Sequence, residues 1–189
     1  IPYFTTVSGA YVGGEYGFSN SFSDVSKPSD KITSPNFEAL LLDYSEVEFL
    51  LAEAVERGYT VPGTAEEHYN NAIEASILYW GGTQAEANAF LANPAVAYTT
   101  AAGNYKEKIG VQKWLALNNR GWDAWVEWRR LDYPALLPPS GPEIVEPLVI
   151  PIRMIYPVSE QTQNGASYRS ASSAIGGDVT TARLFWDIF

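Results

Sequence analysis

Gly121-Trp-Asp-Ala-Trp-Val-Glu-Trp-Arg-Arg-Leu-Asp-Tyr-Pro134 holds three of the chain's six tryptophans and two adjacent arginines in one helix-length segment. At 100° per residue, Trp122, Trp125 and Trp128 fall on an arc of about 120°, the width of a core-facing stripe. Arg129 projects inside that stripe, while Asp123, Glu127 and Arg130 fall on the opposite face. A guanidinium set among indoles needs a carboxylate or an aromatic face against it. The pattern predicts a helix whose tryptophans are core, with Arg129 substantially buried against such a partner.

Upstream, further helices follow, punctuated at their ends. Ser45-x-x-Glu48 offers a capping box inside an apolar run over residues 37 to 51. Val47, Leu50, Leu51, Ala54 and Val55 form its apolar stripe, and Gly58 is placed to terminate it. Thr64-x-x-Glu67 opens a second helix, over residues 65 to 80, in which Tyr69, Ala72, Ile73, Ser76, Ile77 and Trp80 recur at helical spacing. Gly81-Gly82 ends it. Thr83-x-x-Glu86 starts a shorter helix that stops near Asn93-Pro94, and residues 105 to 118 complete, with the opening segment, a set of five. The first two form an antiparallel hairpin of tetratricopeptide length, a repeat of about 34 residues.

The flanks differ in character. Residues 1 to 36 are rich in Gly, Ser, Asn and Pro, with Tyr3, Phe4, Tyr11, Tyr16, Phe18 and Phe22 among them, and read as an aromatic loop region. From Tyr133 onward, Pro134, Pro138, Pro139, Pro142, Pro147, Pro151 and Pro157 forbid long helices. Residues 149 to 156 offer at best an edge strand, because Pro151 cannot donate to a ladder. Residues 158 to 183 read as loop, and the tail over 184 to 189 as an apolar segment docked on the protein. The fold class is mainly α, with tetratricopeptide-like hairpins and an irregular, Pro-rich C-terminal segment. Residues 1–189 read as one domain, divided at 1–36, 37–132 and 133–189.

Composition narrows the function. Apolar residues make up 46% and charged ones 18%, a globular balance. A net charge of −10 argues against nucleic acid and against anionic lipid surfaces. Without cysteine there is no disulfide, thiolate metal site or cysteine nucleophile. His68, the only histidine, reads as a solvated surface residue in a first helical turn. Glu46 and Glu53 share a helix face and raise the reading of a glycoside hydrolase. Two turns separate them by about 10.5 Å along the axis, beyond the usual carboxylate spacing. One of them is better placed to anchor a buried arginine, with Arg129 the candidate, and Glu53 also has Arg57 one turn on. Gly176-Gly177-Asp178 reads as a turn or a single calcium ligand, too few carboxylates for a calcium site. No nucleotide-binding glycine motif is present, so no cofactor, resident metal or catalytic residue is expected. Loop aromatics suit flat, apolar ligand faces, and Tyr11, Tyr16, Phe18 and Asn20 are the candidate ligand-binding residues.

Several strings, in order, carry a resemblance. They are Leu42-Asp-Tyr-Ser-Glu-Val-Glu-Phe-Leu-Leu-Ala-Glu-Ala54, Ile109-x-x-Gln-Lys-Trp-x-Ala-Leu117 and Ala124-Trp-x-Glu-Trp-Arg-Arg130 with Tyr133-Pro134. Ile150-Pro-x-Arg153 with Tyr156-Pro157, and Gly176-Gly-Asp178 before Trp186-Asp187, complete them. Together they resemble the SusD/RagB family of outer-membrane nutrient-binding lipoproteins, from about residue 37 to the C-terminus. The resemblance implies the C-terminal portion of a longer protein with an α-α superhelix, and a role in binding rather than catalysis. It implies a place on the outer face of the outer membrane, where the only membrane attachment is an N-terminal lipid anchor upstream of this chain. There such a protein would capture glycans and pass them to a TonB-dependent SusC-like transporter, the implied partner. Peptide capture, as in RagB-like members, is the alternative, and a glycoside hydrolase the alternative of another class.

Overall fold

Asp43 starts the first long helix, its carboxylate accepting the Glu46 amide at 2.8 Å. The computed structural model describes residues 3–142 and 148–187. Pro147 and the last two residues of the apolar tail, Ile188 and Phe189, lie outside the described residues. The chain divides into two compact units, Ile1–Ala135 and Leu136–Phe189.

The first unit carries α1 (Asp30–Thr33), α2 (Tyr44–Glu56), α3 (Ala65–Tyr79), α4 (Gln84–Leu91), α5 (Tyr105–Ala116) and α6 (Gly121–Leu131). The five long ones are the five expected. Both threonine capping boxes form: Thr64 accepts from the Glu67 amide and Thr83 from the Glu86 amide, each glutamate bonding back. Gly58 ends α2 at φ +82°, with its own amide on the Val55 carbonyl and that of Tyr59 on Ala54, a Schellman closure. The proposed Ser45 cap is not one. Asp43 takes that place two residues earlier, and Ser45 is buried inside the helix, donating to the Ala72 carbonyl of α3 at 2.7 Å.

The core joins α2, α3, α5 and α6 through Phe49, Ala52, Tyr69, Ala72, Ile73, Ile109, Ala116 and Leu131, with Val96 added from the α4–α5 connection. Each large apolar side chain buried there contributes about 1.5–3 kcal/mol. Tyr69, almost wholly buried, donates its hydroxyl to the Val96 carbonyl at 2.8 Å, which spares the oxygen a desolvation cost. Gly110 lets α5 approach the end of α6, since a Cβ there would sit 2.9 Å from Cβ of Tyr133.

Two helix faces differ from the sequence reading. α2 buries Ser45, Glu48, Phe49, Ala52 and Glu53, while Leu50 of the expected stripe is exposed. α6 buries Ala124 and Leu131. Trp122, nine residues before Leu131, lies about 180° from it on the helix and is 62% exposed. Trp125 and Trp128 are half-buried, so the tryptophan stripe runs from the border of the core out to solvent.

The cause is electrostatic. Glu53 and Lys113 wait on the facing helices, so the face of α6 carrying Glu127 and Arg130 is the one that turns inward. Arg130 bridges Glu53 and Glu127, Lys113 lies 2.9 Å from Glu127, and Arg57 pairs with Glu53 at 2.6 Å, the i,i+4 pair expected. Glu46 pairs with Arg120 at 2.8 Å. The two α2 glutamates do anchor arginines, but these are Arg120 and Arg130 rather than Arg129. Arg129 is half-buried instead of substantially buried. It does meet an indole, with its guanidinium carbon 3.8 Å from the Trp125 ring centroid.

His68 is not solvated. Its Nδ1 lies 2.6 Å from a Glu48 carboxylate oxygen and its Nε2 2.8 Å from the Pro62 carbonyl oxygen. Glu48 is buried on α2 and needs a charged partner, which the first turn of α3 supplies.

The second unit contains two helices where loop was expected, α7 (Val158–Gln163) and α8 (Gly165–Ala174). They bury no residues; α7 is short and polar and α8 is rich in Ser and Ala, so no apolar period marks them. Residues 149 to 156 run without a strand ladder; the amides of Ile152 and Arg153 both donate to the Thr180 carbonyl. Arg153 and Asp178 form a buried pair at 2.9 Å, and Asp178 also accepts the Tyr156 amide at 3.1 Å. With its carboxylate so engaged, Asp178 anchors the Gly176-Gly177-Asp178 turn to the segment around Arg153 and Tyr156. In the tail Phe185 is exposed rather than docked, whereas Asp187 is buried and pairs with Arg183 at 3.0 Å.

Candidate ligand groove

The end of α3 builds the floor of a concave groove in the first unit. Ile73, Ser76, Ile77 and Trp80 succeed each other on one face of α3. A second Schellman closure follows, with the Gly81 amide on Leu78 and the Gly82 amide on Ile77. Gly82 must be glycine, because a Cβ would meet Ile77 Cγ2 at 2.6 Å. The tight reversal sets Glu86 and Phe90 of α4 along one wall, and Gln112, Trp114 and Leu115 of α5 form the other. Tyr3 and Phe4 close the end. The groove encloses about 590 Å³, and a neighbouring depression of about 350 Å³, on the side of Phe37 and Arg120, shares Trp80, Ala116 and Asn118 with it.

Trp80 is fixed from several sides. Tyr3 meets it edge-on at 4.8 Å, Tyr79 edge-on at 5.2 Å, and Phe37 stacks at 6.5 Å with planes 27° apart. Tyr3 in turn donates its hydroxyl to the Tyr79 carbonyl at 3.2 Å. Held on so many edges, the indole is buried and stiffens the floor, while the half-buried Trp114 on the α5 wall is the more accessible aromatic side chain. Around it, Ser76, Gln112 and Asn118 offer uncharged hydrogen-bonding groups. The Glu86 carboxylate accepts from the Thr83 amide at 2.7 Å and from its hydroxyl at 2.9 Å, and these bonds hold it below the usual carboxylate range. Burial, with help from Glu38, pushes the Tyr79 phenol up, so it stays neutral. Such a surface can stack on a flat ligand face and bond hydroxyls or amides at its edges.

The carboxylates that raised the hydrolase reading are both engaged elsewhere. Glu46 and Glu53 are occupied by arginines, and Arg130 and Arg57 outweigh burial at Glu53 and hold its carboxyl below the usual range. A general acid requires the opposite shift. Among the described residues there is no group of His, Asp and Glu placed to hold a metal ion.

The loop residues singled out from the sequence do not line the groove. Their loop springs from its edge: the Thr5 amide donates to the Lys27 carbonyl at 2.9 Å and the Ser29 amide to Tyr3 at 2.8 Å, so Tyr3 and Phe4 belong to its stem. Tyr11, Tyr16 and Phe18 are exposed, Tyr16 to 68%. Asn20 serves the loop itself, with Oδ1 accepting the Glu15 amide at 2.8 Å and Nδ2 donating to the Glu15 and Phe18 carbonyls at 2.9 Å. Sequence reasoning passed over Trp80, Trp114 and Gln112. The pointer to them was the Gly81-Gly82 reversal, which forces the helix end and its tryptophan against the next helices.

The groove is carried by a helical-hairpin scaffold of mainly α architecture. The chain belongs to the SusD-like family, described as starch-binding and associating with the outer membrane, whose profile matches residues 3–157. Among solved structures it is similar to a Bacteroidetes SusD-like protein (31% identity, TM-score 0.76, covering 87% of this chain and 33% of that one). It is also similar to a chitin-binding protein (31% identity, TM-score 0.74, 88% and 37%). A chitin-binding SusD homologue from Flavobacterium johnsoniae matches at 26% identity and TM-score 0.75, over 98% of this chain and 45% of that one. The chain thus spans about a third to a half of the length of the structures it matches. No curated protein matches it. Among the described residues no helix is long and apolar enough to cross a membrane.

Proposed function

We propose that this chain is the C-terminal portion of a lipid-anchored protein on the outer face of the outer membrane. Its task is to capture oligosaccharides or polysaccharides and deliver them to a SusC-like TonB-dependent transporter. The family's association with the outer membrane supports the location, and two chitin-binding relatives support the ligand class. The observation that carries the reading is the groove itself. The half-buried Trp114 lies along a groove that also carries the uncharged amide and hydroxyl groups of Ser76, Gln112 and Asn118, the combination that a pyranose ring, with its apolar face and equatorial hydroxyls, requires. Tyr11, Tyr16 and Phe18 are exposed on the loop whose stem carries Tyr3 and Phe4, and we propose them as further ligand contacts, with Asn20 keeping their loop in shape.

The test is calorimetry of the full-length protein against a panel of oligosaccharides and, in parallel, of peptides. Glycan binding that weakens on Trp114→Ala supports the reading. Peptide binding without glycan binding would transfer it to the RagB-like alternative, and turnover of a glycan would establish a hydrolase.

A further inference from the structure

We infer that the groove admits uncharged glycans and rejects anionic ones, those bearing uronate or sulfate groups; the inference rests on the glycan-capture reading above. Among the described residues no lysine or arginine lines the larger depression. In the adjoining one the one cation among the described residues is Arg120, and its guanidinium is engaged by Asp43 at 3.2 Å and Glu46 at 2.8 Å. An anionic sugar entering here finds no countercharge to offset the loss of its hydration.

It finds like charge instead. Glu86 stands on one wall and Glu38 lines the neighbouring depression. The Glu86 carboxylate is tied by two hydrogen bonds to Thr83, so it neither swings clear nor readily takes up a proton. The whole chain adds a net charge of −10. Like-charge juxtaposition is a standard way to exclude a wrong partner, and long-range repulsion slows its approach as well. The polar groups that remain, on Ser76, Gln112 and Asn118, bond to hydroxyls and amides without regard to charge.

The experiment sets the full-length protein against an array of neutral oligosaccharides, N-acetylglucosamine oligomers among them, and of oligogalacturonates and sulfated oligosaccharides of matched length. The result expected is neutral ligands alone, with anionic probes weaker by at least about tenfold and the gap narrowing as salt is raised. Glu86→Gln keeps the capping box, because glutamine serves equally at that position. The variant is expected to gain affinity for the anionic probes severalfold. Anionic probes that bind as tightly as neutral ones, or that ignore Glu86→Gln, would overturn the inference while leaving glycan capture standing. An array with no glycan bound at all would remove the glycan reading, and this inference with it.

Discussion

Nδ1 of His68 lies 2.6 Å from Oε2 of Glu48, and on the other side of the ring Nε2 lies 2.8 Å from the Pro62 carbonyl oxygen. Both neighbours accept, so both ring nitrogens must donate, and only the imidazolium does so. Burial works against that charge, but Glu48 and the Pro62 carbonyl outweigh it, with Glu67 assisting, and His68 is raised above its ordinary value of 6.5. Burial likewise opposes the Glu48 carboxylate, and hydrogen bonds from His68 and Tyr44 outweigh it, holding Glu48 below 4.5. The sign follows by linkage. The His68 contribution is complete below pH 6.5 and is lost as pH rises through the higher folded value. That of Glu48 is complete above pH 4.5 and is lost as pH falls through the lower one. Thermal unfolding across pH should therefore show a plateau between those values. His68→Gln should flatten the alkaline limb; an unchanged limb in that variant would show that the pair does not set it.

Glu53 joins α2 to α6 through Arg130 and to the next turn through Arg57. Glu53→Ala strands two guanidinium groups, one of them half-buried, and should cost about 3 kcal/mol, the scale for breaking a buried pair from one side. Urea denaturation reads this directly. A loss below about 1 kcal/mol would mean that water replaces the carboxylate at little cost.

The capping boxes give a smaller effect. Thr64→Ala removes the acceptor for the Glu67 amide and should cost about 1 kcal/mol. Ser45→Ala should cost a similar amount for another reason, because it leaves the buried Ala72 carbonyl without the hydroxyl it now receives. Combining Ser45→Ala with the loss of the true cap, Asp43→Ala, separates the two roles. Additive losses are expected, and a Ser45 effect that vanishes in the Asp43 background would return Ser45 to the capping position.

At Gly110 the packing has no room for a methyl group unless a neighbour shifts. A methyl group would meet Tyr133 Cβ at 2.9 Å and its carbonyl oxygen at 3.1 Å. Gly110→Ala gains helix propensity, worth up to about 1 kcal/mol, but overpacking of about 1–3 kcal/mol opposes it. A net loss of stability is the outcome expected from chemical unfolding, and a gain would contradict the close approach of α5 to Tyr133.

For ligand binding, Trp114→Ala should lower affinity by about tenfold, equivalent to about 1.4 kcal/mol, while the circular dichroism of the helices is retained. Full affinity in that variant would move the ligand away from the groove.

Local rules were legible in the sequence, as was the face of α3, where Tyr69, Ala72 and Ile73 are buried as expected; the faces of α2 and α6 were not. Thr64, Thr83 and Gly58 mark helix ends by bonds to their own neighbours, so three or four letters suffice to place them. The faces of α2 and α6 depend on partners far along the chain. Arg130 meets Glu53 across 77 residues, and a carboxylate buried against a guanidinium defeats any rule that sends charge outward. α7 and α8 escaped for want of an apolar period. The groove escaped because Trp80 and Trp114 belong to helices with α4 between them in the chain, and only the tertiary packing of α3 on α5 brings them together.

The scattered burial of the tryptophans gives the protein an optical signature. Trp80 sits enclosed at the groove floor and should emit toward the blue, whereas Trp122 faces water and should emit toward the red, open to collisional quenchers. A ligand lying in the groove would change the first emission and leave the second as an internal reference. Occupancy would thus be read from the protein's own light, without a dye.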